Sequence, residues 1–219
     1  MITLKEVKSS EKVNVLIRKS DDCLEKLGYT EHNFKHEEIV SRRAKNILQV
    51  LDHKDEVNAA EIAAYLHDIG NLVNRQDHSQ SGALIAFDIL KEMKMNFSEI
   101  IDVMKIIGNH EENEGGYPVS RAAAAVILAD KSDVRRNRVR EKKHSKFDKH
   151  DRVNYAVLNS DLITYKGLRL ISLKLRVDTR FSSIMEYFEI FMDRMLIMKK
   201  AAESLGCRFE IFINKTKIL

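Results

Sequence analysis

NAAEIAAYLHDIG, residues 58–70, reads as a helix that carries a titratable pair on its own apolar face. Asn58 followed three residues later by Glu61 has the spacing of a capping box, so the helix is expected to open there. His67 follows Ala60 at i+7 and Ala63 at i+4, which puts its imidazole on the stripe that faces the core. Asp68 comes next, and the helix is expected to end near Gly70. An unpartnered buried carboxylate costs several kcal/mol, so a His-Asp pair in this setting needs partners.

Other helices with the same habit surround it. Val13, Leu16, Ile17, Leu24 and Leu27 predict a first helix that stops at Gly28. A second spans about 33–51 with Val40, Ala44, Ile47, Leu48 and Leu51 inward. A helix from Ser79 to Met93 follows the quoted stretch, then one opened by Asn96 with Glu99 and running to about Gly108. The last, capped by Ser120, passes through Ala122–Ala125 to Asp133. His36 lies one turn before Val40, and His110 completes the stripe of Val103, Ile106 and Ile107. Asp130 completes that of Ala123, Val126 and Ile127, and His78 stands just ahead of Ser79. Six such groups converging on one bundle suit a divalent transition metal, iron, manganese, cobalt, nickel or zinc, which turns desolvation penalties into ligand bonds.

Composition agrees with long helices: there is one proline, Pro118, in 219 residues. Two cysteines, Cys23 and Cys207, give neither a disulfide framework nor a zinc knuckle. The N-terminal MITLKEVKSSEK has no apolar leader, and no stretch approaches the ~20 apolar residues of a membrane span, so a cytoplasmic protein is expected. Net charge is +4, but residues 135–152 hold nine Lys/Arg against three Asp/Glu, leaving the remainder slightly acidic. That segment lacks apolar periodicity and is expected to be a basic loop or lid. Beyond it, 155–165, 168–177 and 208–214 alternate as strands, and 181–205 returns to helix with Met185, Phe188, Ile190, Phe191, Met195 and Leu196 available for burial. Met185, Met192, Met195 and Met198 read as core or a subunit contact. His32, His53, His144 and His150 sit in polar contexts and read as surface residues.

His36, then His67-Asp68, then Asp130 resembles the H…HD…D pattern of the HD-domain metal-dependent phosphohydrolases, and LHDIG (66–70) and ILADKSD (127–133) are similar to that family's most recognisable segments. The resemblance covers roughly residues 12–135. It implies an HD-type helical bundle over 1–134 and leaves the C-terminal third unmatched; with the basic segment 135–152 and the small α+β subdomain that the alternation predicts over 153–219, a mainly α protein is expected. It implies also that His36, His67, Asp68 and Asp130 bind one metal ion. His78 and His110 lie where dinuclear branches place ligands for a second ion, with Asp68 bridging and accepting a proton from the attacking water. The run from His110 to Pro118 resembles the HD-GYP branch, which hydrolyses cyclic di-GMP, but Asn109 and Asn71 stand where that branch has a second histidine and a lysine.

The expected activity is metal-dependent hydrolysis of a phosphate ester on a nucleotide or another small phosphorylated metabolite, with two divalent ions as cofactors. Lys131 and Arg135 are the first choices for stabilising phosphate oxygens, Lys131 as a catalytic group and Arg135 as a substrate ligand; Arg42 and Arg43 follow. A cyclic-dinucleotide phosphodiesterase, a dinuclear-iron oxygenase on the same scaffold, and a metal- or nucleotide-sensing or RNA-binding module are the alternatives. Nucleic acid is a disfavoured partner because 135–152 has one aromatic, Phe147; a homodimer stays open.

Overall fold

A computed structural model describes residues 2–219. Helices α1 (Leu4–Ser9) and α2 (Glu11–Lys26) come first, α1 opened by a reciprocal Thr3–Glu6 capping box. Gly28, at φ +82°, stops α2 as expected, and Tyr29 N–H closes the end on Leu24 O at 2.9 Å. Leu27 thereby turns outward and is exposed rather than core. Helix α3 (Phe34–Val50) starts at Asn33, whose side chain accepts from Lys35 N–H.

Helix α4 (Val57–Leu66) departs from the expected boundaries at both ends. A 3-10 turn, Lys54–Glu56, feeds directly into it, so Asn58 is not the cap. Its amide instead donates to Ile2 O at 2.8 Å, and Glu61 pairs with Lys45 at 3.0 Å. The helix stops at Leu66, and a 3-10 turn over Ile69–Leu72 follows His67 and Asp68. Helix α5 (His78–Glu92) begins one residue earlier than Ser79, behind Asp77 at φ +56°. Ser79 is therefore no cap; its hydroxyl donates to Glu114 at 2.5 Å. Helix α6 (Phe97–Gly108) opens at Asn96 and α7 (Arg121–Lys131) at Ser120, both as read from sequence.

Every residue of α7 from Ala122 to Ala129 is buried. Its small side chains let α3, α4 and α6 approach on one side and the C-terminal unit on the other. That unit has strands β1 (Val157–Tyr165), β2 (Leu170–Val177), β3 (Arg208–Ile213) and a short β4 (Thr216–Lys217) that the alternation did not reveal. The sheet order is β1-β2-β3-β4, antiparallel except for β2 with β3, where Leu173 faces Ile211. A parallel neighbour needs a crossover, supplied by the long helix over Ile184–Ser204.

The basic segment is not a free loop. Its last residues join helix α8 (Lys149–Ala156), capped by Asp148, so Tyr155 and Ala156 end a helix instead of starting a strand. The crossover helix is then α9 (Ile184–Ser204). Met195 and Met198 of α9 enter the core, whereas Met185, Met192 and Leu196 are exposed. Among the described residues no helix is long and apolar enough to cross a membrane.

Candidate metal centre

His36, in the first turn of α3, is buried, as are His67 and Asp68 in the bend after α4, His78 at the start of α5, and His110 just past α6. Asp130 joins them from the last turn of α7. Their reactive ends meet. His36 Nε2 lies 3.4 Å from His67 Nε2, and His78 Nε2 lies 3.2 Å from His110 Nε2. Asp68 Oδ2 stands 3.3 Å from His67 Nε2 and 3.6 Å from His36 Nε2, while its Oδ1 stands 3.5 Å from His78 Nε2. Asp130 Oδ1 is 3.4 Å from His36 Nε2 and 3.6 Å from His67 Nε2. Three overlapping sets place their donor atoms within 4.8 Å of one another: His36, His67 and Asp130; His67, Asp68 and His110; His78, His110 and Glu111.

The outer nitrogens fix the tautomers. Nδ1 of His36 meets Asp133 Oδ2 at 2.8 Å, that of His67 meets Ala64 O at 2.8 Å, that of His78 meets Glu114 Oε1 at 2.8 Å, and that of His110 meets Ile107 O at 2.7 Å. Each partner is an oxygen acceptor, so Nδ1 holds the proton and donates. In a neutral ring so held, the Nε2 lone pair turns inward, the arrangement in which histidine ligates a metal. Lone pairs facing lone pairs and carboxylates at these distances repel unless a cation lies among them. Asp68 Oδ2 is buried without a hydrogen-bond partner, an orphan that a cation would satisfy. The donor set, nitrogen and carboxylate oxygen, suits a divalent transition ion.

Electrostatics follow the same geometry. Burial opposes ionisation of Asp68, but the surrounding imidazoles, His67 foremost, take its pKa well below the ordinary range. Burial disfavours the His67 cation too, yet Asp68 and Glu37 outweigh it and raise that pKa well above the ordinary value. Burial, together with His67 and His78, pushes His110 down to about 3. The cluster thus draws positive charge to its centre.

Several groups here carry no sequence signal of their own. Glu37 is buried behind His67 with Oε2 3.0 Å from Nδ1. Asp133 is fully buried, holding His36 from one side and Arg135 from the other at 2.6 Å. Glu111 Oε2 is 3.7 Å from His78 Nε2. Asn71 donates to Asp68 Oδ1 at 3.0 Å and so orients the carboxylate. Only the i, i+1 or i+3 offset from a ligand could have pointed to these residues.

A cavity of about 490 Å³ opens over Asp68 and Asp130 and is walled by Lys131, Arg75, Arg138 and Arg194. Lys131 is buried, with Nζ 2.6 Å from Glu112, 2.9 Å from Asp130 and 3.1 Å from Glu111. Burial disfavours its charge, but Asp130 and the two glutamates raise its pKa and keep it an ammonium. His32, read from sequence as a surface residue, is half-buried and lines this cavity beside His36. Its Nδ1 donates to Thr30 O at 2.7 Å, leaving Nε2 free.

The remaining sequence candidates fall elsewhere. Arg135 makes a two-pronged pair with Asp133, at 2.6 and 3.0 Å, and does not line the cavity. Arg43 bridges Ser132 Oγ at 3.0 Å and the carbonyl of Ser160, clamping β1 to the bundle. Arg42 is exposed and outside the cavity. The basic segment presents Asp148, His150 and Asp151 to the cavity rather than its lysines. Its arginines are tied down: Arg138 donates to Glu31 O at 2.8 Å and Asp133 O at 2.6 Å, and Arg140 pairs with Asp21.

A helical bundle that gathers inward-turned imidazoles and aspartates from successive helices at the floor of a polar cavity defines a class of metal-binding domain. Residues 29–135 match the family model described as "HD domain", and this part of the chain is an HD domain. Members of that family are generally metal-dependent phosphohydrolases. An uncharacterized protein of Methanocaldococcus jannaschii, MJ1020, is 28% identical over 158 residues, covering 62% of this chain and 60% of the relative. The match thus spans less than two thirds of the relative's length.

Proposed function

We propose that the protein hydrolyses a phosphate ester of a small metabolite, a nucleotide among the candidates, at a centre of two divalent ions. The supporting observation is the convergence of four imidazole Nε2 atoms around Asp68, whose Oδ2 has no other partner, beneath a cavity of a size that suits such a ligand. His36, His67, Asp68 and Asp130 would hold one ion; Asp68, His78 and His110 would hold the other, with Glu111 within reach. Such ions, when bound, polarise a phosphoryl group and acidify water.

The chain's own residues do the rest. Asp133, the Ala64 carbonyl and Glu114 fix His36, His67 and His78 in their ligating tautomer, and Asn71 fixes Asp68. Lys131 is a fixed cation beside Asp130, placed to offset charge that develops on phosphate oxygens. His32 presents an uncommitted Nε2 to the cavity, the position from which a proton can be exchanged with the substrate. The experiment is a panel of phosphorylated metabolites offered to manganese- or iron-loaded protein. Phosphate release that is lost in Asp68→Ala is expected; full activity in that variant overturns the reading.

A further inference from the structure

The cations around the cavity are not equivalent. Lys131 is paired with three carboxylates. Arg138 is fixed on the carbonyls of Glu31 and Asp133, and Arg75 leans on Asn71 at 3.3 Å and Glu111 at 3.5 Å. Arg194 differs: among the described residues it makes no hydrogen bond, although its side chain is three-quarters buried. Its Nε is buried without a partner, 3.6 Å from Glu112 Oε1, beyond hydrogen-bond range. Glu112 directs its other oxygen to Lys131 at 2.6 Å, so it attracts the guanidinium without saturating it.

The backing of Arg194 is built rather than incidental. Its guanidinium lies 4.5 Å from the centroid of Phe191, and both residues line the cavity. The chain of α9 leaves helical angles at Phe191 itself, with φ −118° and ψ 17°. Tyr187 packs against Phe191 at 5.0 Å, fully buried, and its hydroxyl also lacks a partner. An arginine stacked on an aromatic face, with its planar fork of donors free, matches the oxyanions of phosphate.

We propose that the C-terminal unit contributes a phosphate-binding element to the cavity, Arg194 backed by Phe191, and so takes part in selecting the substrate. This rests on the reading of the cavity as the substrate site. The element lies outside residues 29–135, so it is a property of this chain's C-terminal unit rather than of the HD domain alone.

The test is binding of inorganic phosphate, followed by calorimetry on metal-loaded full-length protein, with metal content and melting temperature measured alongside. Arg194→Met is expected to weaken phosphate binding about tenfold or more, since charge-assisted bonds to the anion are lost. Arg194→Lys should lose less, and Phe191→Leu should lie between wild type and Arg194→Met, with metal content unchanged in all three. Unaltered phosphate affinity in Arg194→Met overturns the element, whatever the activity of the protein. If the methionine variant does not fold, an affinity in Arg194→Lys and Phe191→Leu equal to wild type has the same force. Phosphate binding that depends on Arg194 in a protein that cleaves no phosphate ester supports the element and overturns the proposed hydrolysis alone.

Discussion

Gly70 is the position where one added methyl group should separate the two halves of the metal centre. A Cβ built there would lie 1.9 Å from His78 O, 2.5 Å from Gly82 N and 2.7 Å from Ser81 Oγ. Ordinary contact begins near 3.4 Å, so the first turn of α5 has to retreat by about 1.5 Å in Gly70→Ala. The obstructing atom is the backbone carbonyl of His78 itself, so the imidazole retreats with it. Metal–ligand distances tolerate roughly 0.2 Å, and a displacement several times larger removes His78 from any ion it shares with Asp68. His36, His67 and Asp130 lie on other elements and stay. Overpacking of this kind costs about 1–3 kcal/mol, a large fraction of a typical domain's stability. On the proposed two-ion reading, elemental analysis should therefore fall from two ions per chain towards one, with a lower denaturation midpoint. Gly82→Ala is the control. Its Cβ would meet Gly70 N at 3.2 Å and His67 O at 3.4 Å, which a few tenths of an ångström relieve, so two ions should remain. Wild-type metal content and stability in Gly70→Ala would refute the argument that α5 is held in ligating position by this contact.

Chelation should lower the melting temperature, because stripped ligands face one another unshielded; an ion present at ~100 times its dissociation constant contributes about 2.7 kcal/mol, and an unchanged calorimetric scan would count against a bound ion. Arg43→Ala should destabilise by about 1–3 kcal/mol by leaving the Ser160 carbonyl and Ser132 Oγ short of a donor, with metal and phosphate binding intact; lost phosphate affinity at unchanged stability would restore Arg43 as a substrate ligand. Asp178, paired with Arg180 at 2.8 Å and near Arg136, is held down at about 2, so the stability it adds is present above the ordinary aspartate range and is lost as pH falls through that range towards 2. The difference in unfolding free energy between wild type and Asp178→Asn should accordingly be flat above about pH 5 and vanish near 2; a constant difference down to that pH refutes the pairing.

The parts that could be read from the sequence are those governed by local periodicity. His67 and Asp130 were found because a helix shows its buried face every three or four residues, and the caps Asn96 and Ser120 because capping is local too. Asn58 misled for the same reason: its capping spacing is genuine, but a preceding 3-10 turn already satisfies the helix start and leaves its amide to Ile2. Residues whose roles depend on long-range partners stayed hidden. His32 sits in a polar stretch, yet the turn after α2 folds it over His36. Phe191 and Arg194 belong to an ordinary-looking amphipathic helix, and nothing local says that α9 crosses the cavity wall.

The positive charge of residues 135–152 has a use that its sequence position alone suggested wrongly. The centre gathers carboxylates: Glu37, Asp68, Glu111 and Asp133 are buried, and Glu112 and Asp130 are nearly so. Lys131 offsets the front of this group, between Glu111, Glu112 and Asp130. At the back, Asp133 takes His36 Nδ1–H, two bonds from Arg135, and the nearby charges of Arg138 and Arg43. Those hydrogen bonds and charges outweigh burial and hold its carboxyl far below the ordinary range. A permanently ionised Asp133 is what keeps the His36 proton on Nδ1 and its lone pair on Nε2. Arg135 and Arg138 therefore reach His36 through Asp133. The negative charge left in the middle, around Asp68, is faced by imidazoles and by no paired lysine or arginine among the described residues, and that is the charge divalent ions would balance.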